Sequence, residues 1–200
     1  MKRIVQTLAA ATCLAGGAHA ATVTGASLGD GTETVAGVTI TAQAGTFEQT
    51  SFDDPDGTGV ITLTTGLDVN DGGLGVDRGF FDSDDVDGFG PNDIIVFSFS
   101  QAVTLNAASF ASFDGFLPDE FVLFAGDDLG DLTAFTEFAI GDRVALDVVG
   151  RVFGIGARSF EDDFVVTALD FAPVPIPGAA ALMITGLGGL GLARRRAKAG

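Results

Sequence analysis

The segment DIIVFSFS, residues 93–100, decides the fold class of this chain. In an extended strand here, one face carries Ile95, Phe97 and Phe99. The opposite face carries Ile94, Val96 and Ser98. Both faces are therefore apolar where the segment begins. This pattern is typical of a central strand that is covered on one side and partly protected on the other.

Similar short apolar segments recur from residue 21 to residue 173. Gly, Thr, Val and Phe are abundant there, Asp-Gly turn signals are frequent, and no run has a helical period. Strands are predicted at residues 34–42, 60–65, 93–100, 103–110, 120–125, 132–139, 143–149, 151–157 and 163–171. We expect the Phe residues to supply the large side chains of the core. The pattern predicts an all-β chain with a single β-sandwich of jelly-roll type, and an up-and-down barrel is the alternative.

The first twenty residues have the three parts of an export signal. Lys2 and Arg3 give a positive start, residues 4–15 are apolar, and an A-x-A cleavage site is formed by Ala18 and Ala20. This order predicts a signal helix over residues 1–20 and a mature chain that starts at Ala21.

Removal of the signal restricts the chemistry that the remaining chain can perform. The only Cys and the only His, Cys13 and His19, lie inside the signal, and the chain has no Tyr or Trp. Residues 21–173 also lack Lys, so a nucleophilic Ser there would have no basic side chain to activate it. We therefore predict that the protein is not an enzyme. Hydrolysis of glycosides by a carboxylate pair is the mechanism left open, and the candidates are Glu33, Glu48, Glu120, Glu137 and Glu161.

The charge of the central region is strongly negative. All 27 Asp and Glu residues lie between residues 30 and 170, where four Arg are the only basic residues, which gives a net charge of −23. Nucleic acid and anionic lipid are poor partners for such a surface, whereas cations are good ones. The alternative is a solvated acidic surface that needs no specific ligand.

The densest acidic segment, residues 82–93, suggests a calcium site. Calcium prefers six to eight oxygen ligands, and closely spaced Asp residues on a Gly-containing loop can supply them. The alternating pattern starts at Asp82 and Asp84, but Val86 interrupts it and no Glu closes it. The predicted ligands, with two from the last strand, are Asp82, Asp84, Asp85, Asp87, Asp93, Asp162 and Asp163. The competing interpretation is that Asp and Gly here only form turns.

Residues 174–200 form a tail with its own organisation. The lead VPIPG, residues 174–178, precedes an apolar segment at residues 178–193, and the basic end at residues 194–200 begins with Arg194, Arg195 and Arg196. As a helix the apolar segment would span about 24 Å, less than the roughly 30 Å hydrocarbon core of a bilayer. We therefore expect a transmembrane helix that serves as a transient tether rather than a permanent anchor.

The tail resembles the PEP-CTERM class of sorting signals in its VPLPA-type variant. The resemblance rests on Val174, Pro175, Ile176, Pro177 and Gly178, followed by the apolar segment and the Arg cluster; Ile176 and Gly178 depart mildly from that variant. It implies an exosortase-type membrane protease as partner and transient insertion in the inner membrane of a Gram-negative bacterium, before delivery to the cell surface or the exterior. A looser resemblance to β-rich ectodomains found with such tails rests on residues 73–76, 86–90, 97–105 and 162–164.

Three hypotheses for function follow from these features. The first is a non-enzymatic exported protein of the cell surface or extracellular matrix, with a structural or adhesive role, and Ca²⁺ is its one predicted cofactor. The second is a lectin-like module that binds extracellular polysaccharide. Such a module would depend on Ca²⁺ and Asp, because the Trp and Tyr rings on which sugars usually stack are missing. The third is the carboxylate-dependent glycosidase.

Overall fold

The computed structural model describes residues 19–48, 60–70, 72–78, 84–88, 91–112, 119–159 and 161–175. Every strand pair in this part of the chain is antiparallel. The strands are β1 (Ala21–Thr24), β2 (Thr32–Val35), β3 (Val38–Glu48), β4 (Val60–Leu63), β5 (Leu67–Asn70), β6 (Gly73–Val76), β7 (Val86–Asp87), β8 (Asn92–Ser112), β9 (Glu120–Gly126), β10 (Thr133–Ala139), β11 (Arg143–Gly156) and β12 (Asp163–Pro173). Two short 3-10 turns, Ala26–Leu28 and Leu129–Asp131, connect some of them.

The two longest strands, β8 and β11, each contribute to two layers. The first half of β8 pairs with β3 and with the second half of β11, which also pairs with β9. The second half of β8 pairs with β12 and with the first half of β11. Between the halves, β8 residues 99–102 lie opposite the single β11 residue Arg151. This shift of register marks the place where both strands pass from one layer to the other.

The remaining strands extend these two layers. In the first layer β2 and β4 pair with β3, and β10 pairs with β9. In the second layer β1, β6 and β7 pair with β12, and β5 pairs with β6. The hydrogen-bonded sheet is open, so the described chain is an antiparallel β-sandwich around one main core.

Phe rings hold the two layers together. Phe121 on β9 lies 4.5 Å from Phe110 on β8 and 6.5 Å from Phe164 on β12, measured between ring centroids. Phe99 contacts Phe171 in the same way at 5.2 Å. These pairs connect strand segments that are not hydrogen-bonded neighbours, so they pack across the interior. The prediction of a Phe-rich core is confirmed.

A second apolar cluster covers the outer face of the first layer. Ile94 and Val96 point into it, together with Phe47 and Phe124, whose rings lie 5.1 Å apart. Ile95, Phe97 and Phe99 face the main core instead. Segment 93–100 is thus a central strand with apolar cover on both sides, as its sequence predicts.

Five of the nine predicted strands were wrong in their limits. Residues 34–42 were predicted as one strand but form the β2–β3 hairpin. Its turn residues Ala36 and Gly37 have φ values of 52° and 78°, the combination that a two-residue hairpin turn requires. Segments 93–100 and 103–110 are one strand, as are 143–149 and 151–157, because their polar or Gly interruptions bend the strand without ending it. The other four predicted strands are confirmed, with limits shifted by two residues at most.

Strands β1, β5, β6 and β7 were not predicted from the sequence. The β5–β6 hairpin turns at Gly72, whose φ is 81°. Gly75 on β6 approaches the neighbouring segment closely, since a Cβ there would overlap the carbonyl oxygen of Asp84. This approach holds residues 84–87 against the sandwich.

Residues 1–18 of the predicted signal and residues 176–200 of the predicted tail lie outside the described residues. Within the described ranges no helix is long and apolar enough to cross a membrane.

Candidate functional site

Aspartates gather at one end of the sandwich, opposite the bend in β8 and β11. The buried polar side chains of the described residues are all aspartates, each at or beside the beginning of a strand: Asp85, Asp87, Asp93, Asp119 and Asp162. Because β8 passes between layers, its first and last residues return to the same end, where β12 also begins. We call this set, with Asp163, the acidic end.

Arg78 neutralises part of the acidic end. Its Nε lies 2.8 Å from Oδ1 of Asp93, which is completely buried, and a terminal guanidinium nitrogen lies 3.7 Å from Oδ1 of Asp87. A buried carboxylate needs such a partner because the loss of hydration is otherwise uncompensated. Asp93 was predicted as a metal ligand, but its close partner is a cation of the chain itself.

Asp162 binds backbone amides. Its Oδ1 accepts a hydrogen bond from the amide of Glu120 at 3.0 Å, and Oδ2 accepts from the amides of Arg158 and Ser159 at 3.2 and 2.7 Å. This buried carboxylate thereby ties the loop before β12 to the beginning of β9. Both of its oxygens are occupied in that role, which differs from the predicted role as a ligand.

Asp85 and Asp163 form the most electrostatically strained part of the acidic end. Burial, followed by the negative charge of Asp85, raises the pKa of Asp163 to about 7, and Asp87 and Asp119 add to this effect. Burial also raises the pKa of Asp85, although a hydrogen bond of 3.0 Å from Nδ2 of Asn70 opposes that shift. Near neutral pH the two carboxyls therefore share a hydrogen bond when one of them holds a proton.

The structure brings five of the seven predicted calcium ligands to the acidic end, and three of these five lie beside one another. Asp85, Asp87 and Asp163 converge, since Asp163 pairs with Asp87 in the β7–β12 ladder and hydrogen-bonds Asp85. Asp84 is exposed beside them, and Asp82 lies outside the described residues. In the ranges that the structure describes, no three or more His, Cys, Asp or Glu side chains are arranged to hold a metal ion.

Asp119, Asn70 and Arg78 also belong to the acidic end, although they were not among the predicted site residues. Asp119 lies 26 residues after Asp93 and directly precedes β9, so only the pairing of β9 brings it to the acidic end. Asn70 and Arg78 flank β6, a strand that was not predicted from the sequence. The polar side chains of Asn70 and Arg78 beside a Gly-rich segment were the one feature of the local sequence that could have indicated their place in the site.

Two candidate residues for glycoside hydrolysis also lie close together. Burial is the largest cause that raises the pKa of Glu120, and the negative charge of Glu137 adds to it. However, Glu137 is exposed and pairs with Arg158 at 3.4 Å. The pair lies on the β9–β10 ladder.

The raised pKa of Asp163 predicts a specific pH dependence. A carboxyl whose pKa is raised in the folded state contributes stability below its unfolded value of 3.8, and that contribution is lost as the pH rises toward about 7. In metal-free buffer, Asp163→Asn should therefore gain stability relative to the unsubstituted protein as the pH is raised across this interval. Thermal melts of both proteins at pH 4, 5.5 and 7 measure the difference. A constant difference across these pH values would contradict the prediction.

Known proteins resemble this chain only weakly. No protein-family model and no curated protein matches the chain. Among solved structures, the family 32 carbohydrate-binding module of NanJ from C. perfringens, in complex with galactose, is similar to it with 10% identity and a TM-score of 0.36. The match covers 66% of this chain and 93% of that one. A likeness of this degree assigns no ligand to the acidic end.

Proposed function

We propose that the chain is an exported, non-enzymatic β-sandwich protein with a structural or adhesive role at the cell surface or in the extracellular matrix, and that its acidic end binds Ca²⁺. The observation that supports the calcium part is the proximity of Asp85, Asp87 and Asp163, whose carboxylates are not arranged around an ion in the structure and would have to reorient to hold one. Their mutual repulsion is the electrostatic state that a bound cation relieves.

The donor chemistry of the acidic end suits Ca²⁺ better than other common metals. Its candidate ligands are the carboxylate oxygens of Asp85, Asp87 and Asp163, and no imidazole or thiolate is present in residues 21–173. Hard oxygen donors favour Ca²⁺ over zinc or copper. Binding would also lower the pKa of Asp163, because the metal favours the deprotonated carboxylate.

Export to the surface is proposed from the two ends of the sequence. Strand β1 begins at Ala21, directly after the predicted cleavage site, and β12 ends at Pro173, directly before the VPIPG motif. The agreement between these limits supports a division into a signal at residues 1–20, a β-domain at residues 21–173 and a sorting tail at residues 174–200. An exosortase-type protease is the proposed partner of that tail.

The finer fold assignment is also a proposal. We infer a jelly-roll-like arrangement because strands distant in sequence lie side by side, with β8 between β3 and β11 in one layer and between β11 and β12 in the other. Such non-sequential order is characteristic of jelly rolls and distinguishes them from strands that simply run up and down in sequence order.

Calcium binding is tested by thermal unfolding of the purified protein. EDTA should lower the melting temperature, and excess Ca²⁺ at about one hundred times its Kd should restore about 2.7 kcal/mol, or roughly 5–10 °C. Asp163→Asn should lose most of this response. The matched control is Asp131→Asn, an exposed aspartate of the 3-10 turn before β10, which should respond like the unsubstituted protein.

A melting curve that EDTA and Ca²⁺ leave unchanged would remove calcium from the proposal and leave the structural role. The lectin-like alternative has a separate test, which is a glycan array probed with the same protein in the presence of Ca²⁺. Calcium-dependent retention on a defined glycan would favour that alternative over a purely structural role. Release of reducing sugar from such a glycan would contradict the prediction that the protein is not an enzyme.

A further inference from the structure

The predicted signal cleavage bond lies at the edge of the folded sheet. His19 and Ala20 are exposed, whereas Ala21 is the first residue of β1 and packs against the main core. Ala21 pairs with Phe171 of β12, and Val23, two residues on, is 2% exposed. The two residues before the bond are therefore exposed, whereas the residue after it belongs to the sheet.

A network of polar side chains fastens β1 to β12. Thr22 Oγ1 donates a hydrogen bond of 2.5 Å to Oδ1 of Asp170, and Arg143 Nε donates one of 2.9 Å to Oδ2 of the same carboxylate. These two interactions lower the pKa of Asp170, with the Thr22 hydrogen bond as the largest cause, so the carboxylate stays ionised near neutral pH. The first strand is thus held by backbone pairing, core packing and a charged acceptor.

We propose that the Ala20–Ala21 bond can be hydrolysed only before β1 pairs with β12, so that folding of the domain closes its own signal cleavage site. This inference rests on the proposed export of the protein. In the reaction, water adds to the carbonyl carbon of Ala20 and the C–N bond breaks, leaving a carboxylate on Ala20 and an amine on Ala21. A protease binds the residues on both sides of such a bond as a separate extended segment, which residues 21–24 cannot form while they are part of the sheet.

The order of the strands along the chain provides the interval for cleavage. Strand β12 is the last strand described, and its pairing with β1 joins residues that lie about 150 positions apart in the sequence. Contacts of such separation form late, because the intervening chain must be ordered first. During export from the N-terminus, Ala21 also emerges long before residues 163–173. Signal removal therefore precedes closure of the sandwich, and a precursor that folds first retains residues 1–20.

The test uses the full-length precursor, folded in detergent and treated with purified bacterial signal peptidase. The comparison variant carries six Gly and Ser residues inserted between Ala21 and Thr22, which leaves the A-x-A site intact but moves it away from β1. We expect the folded unsubstituted precursor to be cut at least about tenfold more slowly than the variant, since cleavage must wait for local opening of β1. A synthetic peptide of residues 1–28 reports whether the site itself is a substrate.

A second pair of variants tests the fastening of β1 without an insertion. Thr22→Val removes the hydrogen bond to Asp170 and should speed cleavage by about fivefold, as expected for the loss of one solvent-exposed hydrogen bond. Thr32→Val is the matched control, because Thr32 lies on β2 and pairs its hydroxyl with Thr41. That control should be cut at the rate of the unsubstituted precursor.

The outcomes separate the two proposals. If the peptide is cut but the folded precursor is cut as fast as the spacer variant, closure of the site by folding is wrong and the export signal stands. If neither the peptide nor the spacer variant is cut after Ala20, the predicted export signal itself is wrong, and the inference built on it fails too.

Discussion

Replacing Arg78 with Ala is expected to destabilise the protein by about 3–5 kcal/mol, because it leaves the completely buried Asp93 without its ion-pair partner. The cost arises mainly from the uncompensated carboxylate rather than from loss of the attraction itself. For a chain of this size the melting temperature should fall by roughly 10 °C. Urea unfolding followed by far-ultraviolet circular dichroism measures the change in free energy.

Two further variants separate loss of the ion pair from loss of side-chain volume. Arg78→Met combined with Asp93→Asn removes both charges and should recover at least half of the lost stability, since no buried charge remains. Arg151→Ala is the matched control, because Arg151 is exposed and makes one long hydrogen bond of 3.4 Å to the carbonyl of Ser100. It should change stability by about 0.5 kcal/mol or less. Equal losses for Arg78→Ala and Arg151→Ala would show that the buried pair is not important for stability.

Replacing Phe121 with Ala is the second change with a large expected effect, a destabilisation of about 3–5 kcal/mol. Phe121 is completely buried and its ring contacts Phe110, Phe138 and Phe164, which lie on β8, β10 and β12. Its removal leaves a cavity between the two layers that these neighbours cannot fill without moving the strands. The urea midpoint should fall with little change in the slope of the transition.

Leu129→Ala provides the control for this prediction, since Leu129 is 38% exposed in a 3-10 turn. It should change stability by about 0.5 kcal/mol or less. A double-mutant cycle with Phe110→Ala should give a coupling energy of about 0.5–1.5 kcal/mol, as expected for a direct aromatic pair. A coupling near zero would mean that the two rings do not pack across the interior.

The strand predictions succeeded where the local pattern alone decides the backbone. Segment 93–100 has apolar residues on both faces, and it is a central strand between two apolar clusters. The predictions failed at the turns and bends. Ala36 at a φ of 52° is rare enough that the sequence did not reveal the β2–β3 turn, and Gly150 bends β11 without ending it because hydrogen bonds to β8 continue on both sides.

The acidic end shows the same division for the candidate site. Asp and Gly in residues 82–93 indicated a polar segment, but its members have separate roles: Asp93 pairs with Arg78, Asp84 is exposed, and Asp85 lies beside Asp163 from a strand almost eighty residues away. Spacing along the chain cannot reveal these roles, because each depends on which strand begins beside which.

The sequence by itself determined that this chain forms antiparallel strands with a Phe-rich interior, since alternation of side chains is a property of the extended backbone and the burial of apolar surface follows from it. The tertiary structure alone decided which carboxylates meet, which of them a guanidinium neutralises, and that the first strand closes against the last. The physical reason is that electrostatic and hydrogen-bond energies depend on distances of a few ångströms in space. Those distances are set by pairing between strands far apart in the sequence.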